Sequence, residues 1–285
     1  MATYADMVNT SKWSARRATF RKLHESACFL IPNPWDIGSA HALASLGFKA
    51  LATTSSGFAW SRAHADNAMD IEAVLAHCHE IVEATDLPVN ADFEDGHARG
   101  IDGLKKNVRR CIETGVAGLS IEDSTGDASQ PLYGFDEAVA RMRAARAAID
   151  ASGEDVMLIG RAECFLVGRP DPLNEALTRL RAYAEAGADC LYAPGAGTPE
   201  QIRAVVAAVA PKPVNVLVGR SVPYTLGDLA QLGVRRVSVG GGLAGAAWGG
   251  FLRAARGLVE GRFDGFAGNA SHAELDALAG EQRRT

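Results

Sequence analysis

Carboxylate side chains follow two neighbouring apolar runs of this sequence. Asp92 and Glu94 lie at the end of one run, and Glu122 lies at the end of the next. Because Asp92 and Glu94 are two residues apart, they share a face of an extended strand. Converging carboxylates repel one another unless a cation neutralises them, and oxygen ligands without Cys or His favour Mg²⁺, or Mn²⁺ in its place. The pattern predicts a divalent metal site, although any one of these acids could instead cap a helix.

Two further groups could handle an anionic substrate. Arg161 ends an otherwise apolar run, where an unpartnered cation is costly. Its guanidinium could hold a carboxylate or a phosphoryl group in bidentate fashion, or could pair with Glu163 or Glu122. Ser56 and Gly57 predict a turn whose backbone N–H groups can face a developing oxyanion, although such turns are common.

Alternating strands and helices must position these groups. Eight short apolar runs are typical of buried parallel strands, and the longer amphipathic stretches between them are typical of helices. The predicted strands are residues 28–32, 50–54, 89–93, 118–122, 156–161, 190–193, 214–218 and 236–239. The clearest predicted helices are residues 71–84, 104–114, 135–151, 173–186, 199–209 and 247–260.

Helix-end signals support these boundaries. Gly47, Gly115, Gly187 and Gly233 follow helical runs, as left-handed C-terminal glycines do, and Thr198 before a proline predicts an N-cap. Eight βα units without a GxGxxG motif after the first strand favour a TIM-type (β/α)₈ barrel over an open doubly wound sheet.

The domain prediction follows from this pattern. We predict one α/β domain over residues 1–285, with an N-terminal helix in 1–25 and a C-terminal tail with a short helix in 262–285. The reacting groups of such barrels lie at the carboxyl ends of the strands.

Composition excludes several classes of protein. Of the 285 residues, 47% are hydrophobic and 22% are charged, which is enough to form a core and argues against disorder. The net charge of −5 without a basic stripe argues against nucleic-acid binding, and no apolar run is long enough to span a membrane. Five scattered cysteines without a CxxC pair argue against structural zinc and a disulfide framework, and they predict a cytoplasmic protein.

Six segments in a fixed order carry a resemblance to a known superfamily. They are residues 32–40 (PNPWDIGSA), Ser56-Gly57, Asp66, 92–96 (DFEDG), 121–123 (IED) and 160–165 (GRAECF). Together they resemble the isocitrate lyase/phosphoenolpyruvate mutase superfamily over nearly the whole chain. The resemblance implies a metal-dependent barrel that makes or breaks C–C or P–C bonds through enolate-like states. It also implies a homotetramer that exchanges C-terminal helices.

The resemblance also implies roles for individual residues. Asp92 resembles the direct metal ligand, while Glu94 and Glu122 resemble acids that hold the metal partly through its waters. Ser56, Gly57 and Phe58 resemble the turn that binds the substrate carboxylate and enolate oxygen. Arg161 resembles the arginine that anchors the substrate, and Asn215 resembles a further polar contact. Residues 124–133 resemble a mobile gating loop that contains Ser124, Asp127 and Tyr133, and Asp66 resembles an acid after the second strand.

Three departures from the superfamily pattern bear on the reaction. The gating loop lacks the Lys-x-Cys-Gly-His segment of the isocitrate lyases, and Tyr192-Ala-Pro194 stands where the phosphonomutases place a histidine. Glu94 also replaces the usual aspartate. Decarboxylation of a 3-carboxy-2-oxo acid needs neither the loop cysteine nor that histidine, because it requires only enolate stabilisation and a carboxylate anchor.

We therefore predict a Mg²⁺-dependent carbon–carbon lyase that acts on a small 2-oxo or 2-hydroxy (di)carboxylate through a metal-stabilised enolate. Decarboxylation of oxaloacetate is the simplest case. One alternative is a phosphoenolpyruvate or carboxyphosphonoenolpyruvate mutase-type P–C bond enzyme. Another is a barrel that binds 2-oxo acids without catalysis.

Overall fold

The computed structural model describes residues 4–278, with side chains from residue 12 onward. Its strands are β1 (Phe29–Ile31), β2 (Leu51–Ala52), β3 (Val89–Asp92), β4 (Gly118–Glu122), β5 (Met157–Arg161), β6 (Cys190–Tyr192), β7 (Asn215–Leu217) and β8 (Arg236–Ser238). Each overlaps a predicted strand. The outermost residues of the predicted N-terminal helix and C-terminal tail, 1–3 and 279–285, lie outside the described residues.

Helices separate the strands. They are α1 (Tyr4–Leu23), α2 (Ile37–Ser45), α3 (Ser55–Ser61), α4 (Ile71–Ala84), α5 (Ile101–Glu113), α6 (Phe135–Ser152), α7 (Pro172–Glu185), α8 (Pro199–Val209), α9 (Leu226–Gln231), α10 (Gly242–Val259) and α11 (His272–Leu278). A short 3₁₀ helix at Asp264–Phe266 lies between α10 and α11. No helix within residues 4–278 is long and apolar enough to cross a membrane.

Every strand pairing is parallel, as expected when helices connect successive strands. Five strands form one sheet in the order β2-β3-β4-β5-β6, and the other three form a sheet in the order β1-β8-β7. Backbone contacts join the edges of the sheets. Ala52 N donates to Pro32 O over 3.1 Å, and Leu191 pairs with Val214 at the other edge. The fold is thus α/β, with a curled parallel sheet at its centre.

The helix-end predictions are confirmed. All four glycines predicted to end helices have a positive φ, between 87° and 105°. Thr198 caps α8 within a capping box, because its side chain accepts from Gln201 N and the Gln201 side chain accepts from Thr198 N. These local signals end each helix where the next strand must begin.

The end of the strands opposite the acids is closed by α1. Phe20 of α1 is fully buried among Ile31, Met157 and other side chains that the strands turn inward. A Cβ atom on Gly118 would lie 2.8 Å from the Phe20 ring, so the glycine allows this close packing. Apolar side chains therefore fill the space between the strands at this end, whereas the acids and Arg161 gather at the carboxyl ends.

Candidate active site

The carboxyl ends of three adjacent strands bring acids and Arg161 together. In the sheet register, Glu122 of β4 lies beside Arg161 of β5. Arg161 Nη1 lies 3.2 Å from Asp92 Oδ1 and 3.1 Å from Glu122 Oε2, and its Nε donates to Glu163 Oε1. The guanidinium therefore lies among the acids and is paired with three of them, including the predicted partners Glu122 and Glu163.

Asp92 is held in a fixed orientation by residues that follow β2. Its Oδ2 accepts hydrogen bonds from Ser55 N at 3.0 Å and Ser55 Oγ at 2.9 Å. Its own N–H donates to Thr53 Oγ1 over 2.8 Å. With Oδ1 facing Arg161, both carboxylate oxygens are directed before any ligand binds. Such preorganisation is typical of a functional carboxylate.

More acid gathers here than Arg161 can neutralise. Glu94, with a left-handed φ of 47°, is 8% exposed. Burial raises the pKa of Glu94 to about 8, with further contributions from Asp92 and Asp66. Burial also raises the pKa of Glu122 well above its usual value, although the Arg161 charge opposes that shift. These raised pKa values favour the protonated form of the acids that Arg161 does not neutralise, and a bound cation would allow them to ionise.

Ser56 and Gly57 lie in the first turn of α3 and not in a free turn, because Thr54 caps this helix. Gly57 N donates to Thr54 Oγ1 over 3.2 Å, so that N–H is already used. A Cβ atom on Gly57 would lie 2.6 Å from Thr54 Cγ2 and 3.1 Å from Trp35 Cβ. Close packing requires this glycine, and the Ser56 side chain remains the group able to reach a ligand.

A cavity of about 190 Å³ opens beside these residues. Ser55, Ser56, Asp66, Asp92 and Arg161 line it near the strand ends. The size suits a ligand of a few heavy atoms, and the lining offers hydroxyl donors, carboxylates and a guanidinium. Of the predicted substrate-binding residues, the structure thus places Ser56 and Arg161 on the cavity wall.

Two other predicted contacts lie away from this wall. Phe58 is buried and stacks on the His77 ring, with the ring centroids 4.0 Å apart. Asn215 is 2% exposed, and both ends of its amide are engaged: Nδ2 donates to Ser238 Oγ and Oδ1 accepts from Arg236 Nε, each over 2.9 Å. In this conformation Phe58 packs on His77, and Asn215 binds Ser238 and Arg236.

Among the cavity residues that the sequence analysis did not select, three bear on the chemistry of the site. Tyr192 ends β6 with its ring 5.6 Å from the Arg161 guanidinium carbon, and Ser55 holds Asp92. Arg236 lines the deeper part of the cavity. The signal for Arg236 was available, because it stands at the start of an apolar strand just as Arg161 stands at the end of one. Tyr192 and Ser55 have no comparable local signal.

The predicted gating loop is a closed hairpin in this conformation. Ser124 pairs with Leu132 in an antiparallel bridge, and Asp127 Oδ1 accepts from Ser129 N over 2.8 Å. Tyr133 is buried, and its hydroxyl donates to Asp95 Oδ2 over 2.7 Å. Burial raises the pKa of Tyr133 to about 12, with a further contribution from the Asp95 hydrogen bond. Movement of this loop remains a prediction.

The acids do not form a ready-made metal cage. Within residues 12–278, no three Asp, Glu, His or Cys side chains are grouped closely enough to chelate an ion directly. The donor set nevertheless fits a hard cation, because Asp92, Glu94 and Glu122 offer oxygen ligands and outnumber the one guanidinium among them. Mg²⁺ keeps several waters and is usually bound by one or two carboxylates, so widely spaced acids are compatible with it.

Comparison with known proteins gives a consistent family assignment. The sequence profile of the phosphoenolpyruvate phosphomutase family matches residues 20–259. A structure from Burkholderia cenocepacia described as a lyase/mutase is 43% identical, with a TM-score of 0.90 over 93% of this chain and 96% of that one. The oxaloacetate decarboxylase of Rhodopseudomonas palustris is 30% identical over 80% of this chain and 78% of its own length.

A further structural relative was solved with a bound ligand. This is oxaloacetate acetylhydrolase in complex with the product oxalate, which is 26% identical with a TM-score of 0.83 over 95% of each chain. The chain thus belongs to the phosphoenolpyruvate phosphomutase family and is an enzyme of the isocitrate lyase/phosphoenolpyruvate mutase superfamily, as the six sequence segments indicated.

Proposed function

We propose that this enzyme is a divalent-metal-dependent carbon–carbon lyase acting on a small 2-oxo dicarboxylate, with decarboxylation of oxaloacetate as the simplest reaction. The observation that carries the proposal is the cavity in which preoriented Asp92, Arg161 and Ser56 converge. The similarity to an oxaloacetate decarboxylase and to oxaloacetate acetylhydrolase supports the same substrate class.

Asp92, Glu94 and Glu122 are the proposed metal-binding residues, with Mg²⁺ as the ion and Mn²⁺ as a substitute. Their number supports this assignment, because Arg161 cannot neutralise all three acids. Burial and the neighbouring acids raise the pKa of Glu94 to about 8, so a cation bound there would displace a proton. A bound divalent cation would polarise the 2-oxo group and stabilise negative charge on its oxygen.

The chain's own groups supply binding and orientation. Arg161 holds a substrate carboxylate in place, giving up part of its pairing with the acids when the cation neutralises them. The Ser56 hydroxyl donates to the developing oxyanion. When the bond between C3 and the departing carboxylate breaks, its electron pair forms the enolate, and carbon dioxide leaves. A proton from water at C3 then completes pyruvate.

The decisive experiment follows pyruvate release from oxaloacetate with purified enzyme, with and without EDTA. We expect Mg²⁺-dependent turnover well above the rate with free Mg²⁺ alone, because free Mg²⁺ also decarboxylates this substrate. An enzyme rate no higher than that background would reject the decarboxylase.

A second candidate function is P–C bond chemistry of the phosphonomutase type. The family profile and the lyase/mutase at 43% identity favour it. The strand-six position is Tyr192 and not histidine, which removes one donor to a phosphoryl group and makes this the weaker proposal. Phosphorus NMR with phosphonopyruvate tests it, and a new phosphate-ester resonance would favour it over decarboxylation.

The proposal extends to assembly and location. Hydrogen bonds at both sheet edges support closure of the eight strands into a (β/α)₈ barrel that forms one domain. Trp248, Phe251 and Leu252 of α10 expose apolar surface, which supports a homotetramer built on the C-terminal helices. Five free cysteines support a reducing, cytoplasmic location.

A further inference from the structure

The deep part of the active-site cavity contains a second arginine. Arg236 of β8 is 3% exposed and lines the same cavity as Arg161. It lies two residues before Ser238, which also lines the cavity, so it is about 6.6 Å lower along the strand. A ligand that contacts Arg161 at the strand ends can therefore extend inward toward Arg236.

The two arginines differ in what surrounds them. Arg161 is paired with three carboxylates. Arg236 contacts only amide oxygens among the described side chains: Nε donates to Asn215 Oδ1 over 2.9 Å and Nη1 to Asn90 Oδ1 over 3.5 Å. No carboxylate of residues 12–278 forms an ion pair with Arg236. Its charge is therefore buried without an opposite charge, an arrangement that costs free energy in the unliganded protein.

The surrounding amides fix the orientation of this guanidinium. Asn215 is itself held by Ser238, because Nδ2 donates to Ser238 Oγ over 2.9 Å. Asn90 Nδ2 donates to Ala91 O over 3.0 Å, which turns the amide oxygen toward Arg236. Amide oxygens orient the cation but leave its charge uncompensated. A guanidinium oriented in this way suits a carboxylate, because the two groups can form two parallel hydrogen bonds with each other.

We infer that Arg236 forms a second anion subsite, which binds the inner carboxylate of a substrate that carries two carboxylates. This inference rests on the proposed function and deepens it. One anionic group of the substrate lies at the strand ends with Arg161, and the other lies at depth with Arg236. A substrate with one carboxylate leaves Arg236 unpaired, so the subsite selects dicarboxylates over monocarboxylates.

The first test measures ligand affinity without requiring turnover. Dissociation constants for malonate and succinate, which have two carboxylates, are compared with that for pyruvate by calorimetry on the Mg²⁺-loaded enzyme. We expect Arg236→Gln to weaken dicarboxylate binding about 30-fold and pyruvate binding less than about 3-fold, as loss of a charge-assisted contact implies. Equal weakening of both classes, or of neither, would overturn the inference.

Arg235→Gln is the matched control. Arg235 lies next to Arg236 in sequence but lines a separate cavity at the opposite ends of the strands, so the same charge is removed outside the site. We expect unchanged affinities. Arg236→Lys keeps the positive charge but lacks the two parallel N–H donors of a guanidinium, so it should recover part of the dicarboxylate affinity. If Arg236→Lys binds dicarboxylates no better than Arg236→Gln, the charge is not what selects them.

Stability separates a ligand-binding role from a structural one. An unpaired buried charge destabilises the free protein, so Arg236→Gln should melt at the same temperature as the wild type or higher. A structural Arg236 predicts the reverse, a lower melting temperature with unchanged ligand selectivity. If the wild-type enzyme fails to decarboxylate oxaloacetate, the proposed function falls, while the affinity comparison still decides whether the subsite exists.

Discussion

Glu122 and Asp123 are neighbours in sequence, yet they belong to two different charge clusters. Asp123 Oδ1 accepts from Glu163 N over 2.8 Å, and its Oδ2 accepts from Tyr183 OH over 2.6 Å and lies 3.3 Å from Arg179 Nη1. Both oxygens are thus satisfied on the outer side of the sheet. Among the described residues, the Glu122 carboxylate contacts only Arg161, over 3.1 Å.

This contrast indicates that the Asp123 cluster is structural and that the cluster of Asp92, Glu94 and Glu122 binds a ligand. The Asp123 cluster has a donor for each acceptor, and Arg179 also donates to Tyr133 O over 3.1 Å, which ties α7 to the end of the gating loop. The cluster of Asp92, Glu94 and Glu122 has more carboxylate than donors. A satisfied network needs no ligand, whereas an unsatisfied one is stabilised when a ligand supplies the missing charge. Four predictions test this difference.

The largest expected effect is on catalysis at the unsatisfied cluster. Asp92→Asn keeps the shape but removes the charge that Ser55 and Arg161 orient. We expect oxaloacetate decarboxylation to fall about 10³-fold or more, as loss of a preorganised electrostatic group implies. Mn²⁺ affinity, measured by electron paramagnetic resonance, should fall as well.

Glu80→Gln is the control for this substitution. Glu80 is exposed on α4, so replacing it removes the same charge away from the site. Its activity should match the wild type. An Asp92→Asn enzyme that keeps both turnover and Mn²⁺ affinity would show that this cluster is not the metal site.

The Asp123 cluster should govern stability. Asp123→Asn removes one of the two carboxylates paired with Arg179, which keeps Glu175, and it disturbs the bond from Tyr183 OH. Breaking a buried ion pair from one side costs about 3–5 kcal/mol, and because Glu175 remains we expect the free energy of unfolding to fall by about 2–3 kcal/mol. Urea unfolding measures the loss, with Glu80→Gln again as the control. A change below about 1 kcal/mol would place Asp123 with the binding acids instead.

The metal-free enzyme should lose stability as pH rises from about 5 to 8. Burial raises the pKa of Glu94 to about 8, above its ordinary value of 4.5, so the folded state binds the proton more tightly than the unfolded state. The stabilisation is complete below about pH 4.5 and is lost as pH rises toward 8. Melting temperatures in EDTA measure this, and Glu94→Gln should flatten the profile. A wild-type profile with the same slope as Glu94→Gln would contradict the assignment.

The smallest expected effect concerns the loop anchor. Tyr133→Phe removes the hydroxyl that donates to Asp95 but keeps the ring, over which the Arg141 guanidinium carbon lies 4.1 Å from the centroid. Loss of one hydrogen bond should lower the free energy of unfolding by about 1 kcal/mol. We expect kcat to change less than about 3-fold. A collapse of kcat without loss of stability would instead make Tyr133 a proton carrier.

Most of the fold could be predicted from the sequence, because buried parallel strands leave continuous apolar runs and helices end at glycine. The structure places a strand within each of the eight predicted ranges, and α4 and α8 begin and end at the predicted residues. The region after β2 differs, since Ser56 and Gly57 begin α3 instead of a turn. Thr54 was the missed signal, because a threonine before Ser-Ser-Gly can cap a helix.

The sequence alone determined which chemistry gathers at the ends of the strands. Acids and one arginine end adjacent predicted strands, and parallel strands place those ends at one edge of the sheet. Only the tertiary structure decided how the charges pair. Strand register placed Arg161 beside Glu122, and side-chain alternation turned Asp123 outward to Tyr183 and Arg179. The pairing of these charges depends on distances between residues that are far apart in sequence, and a local sequence pattern does not determine those distances.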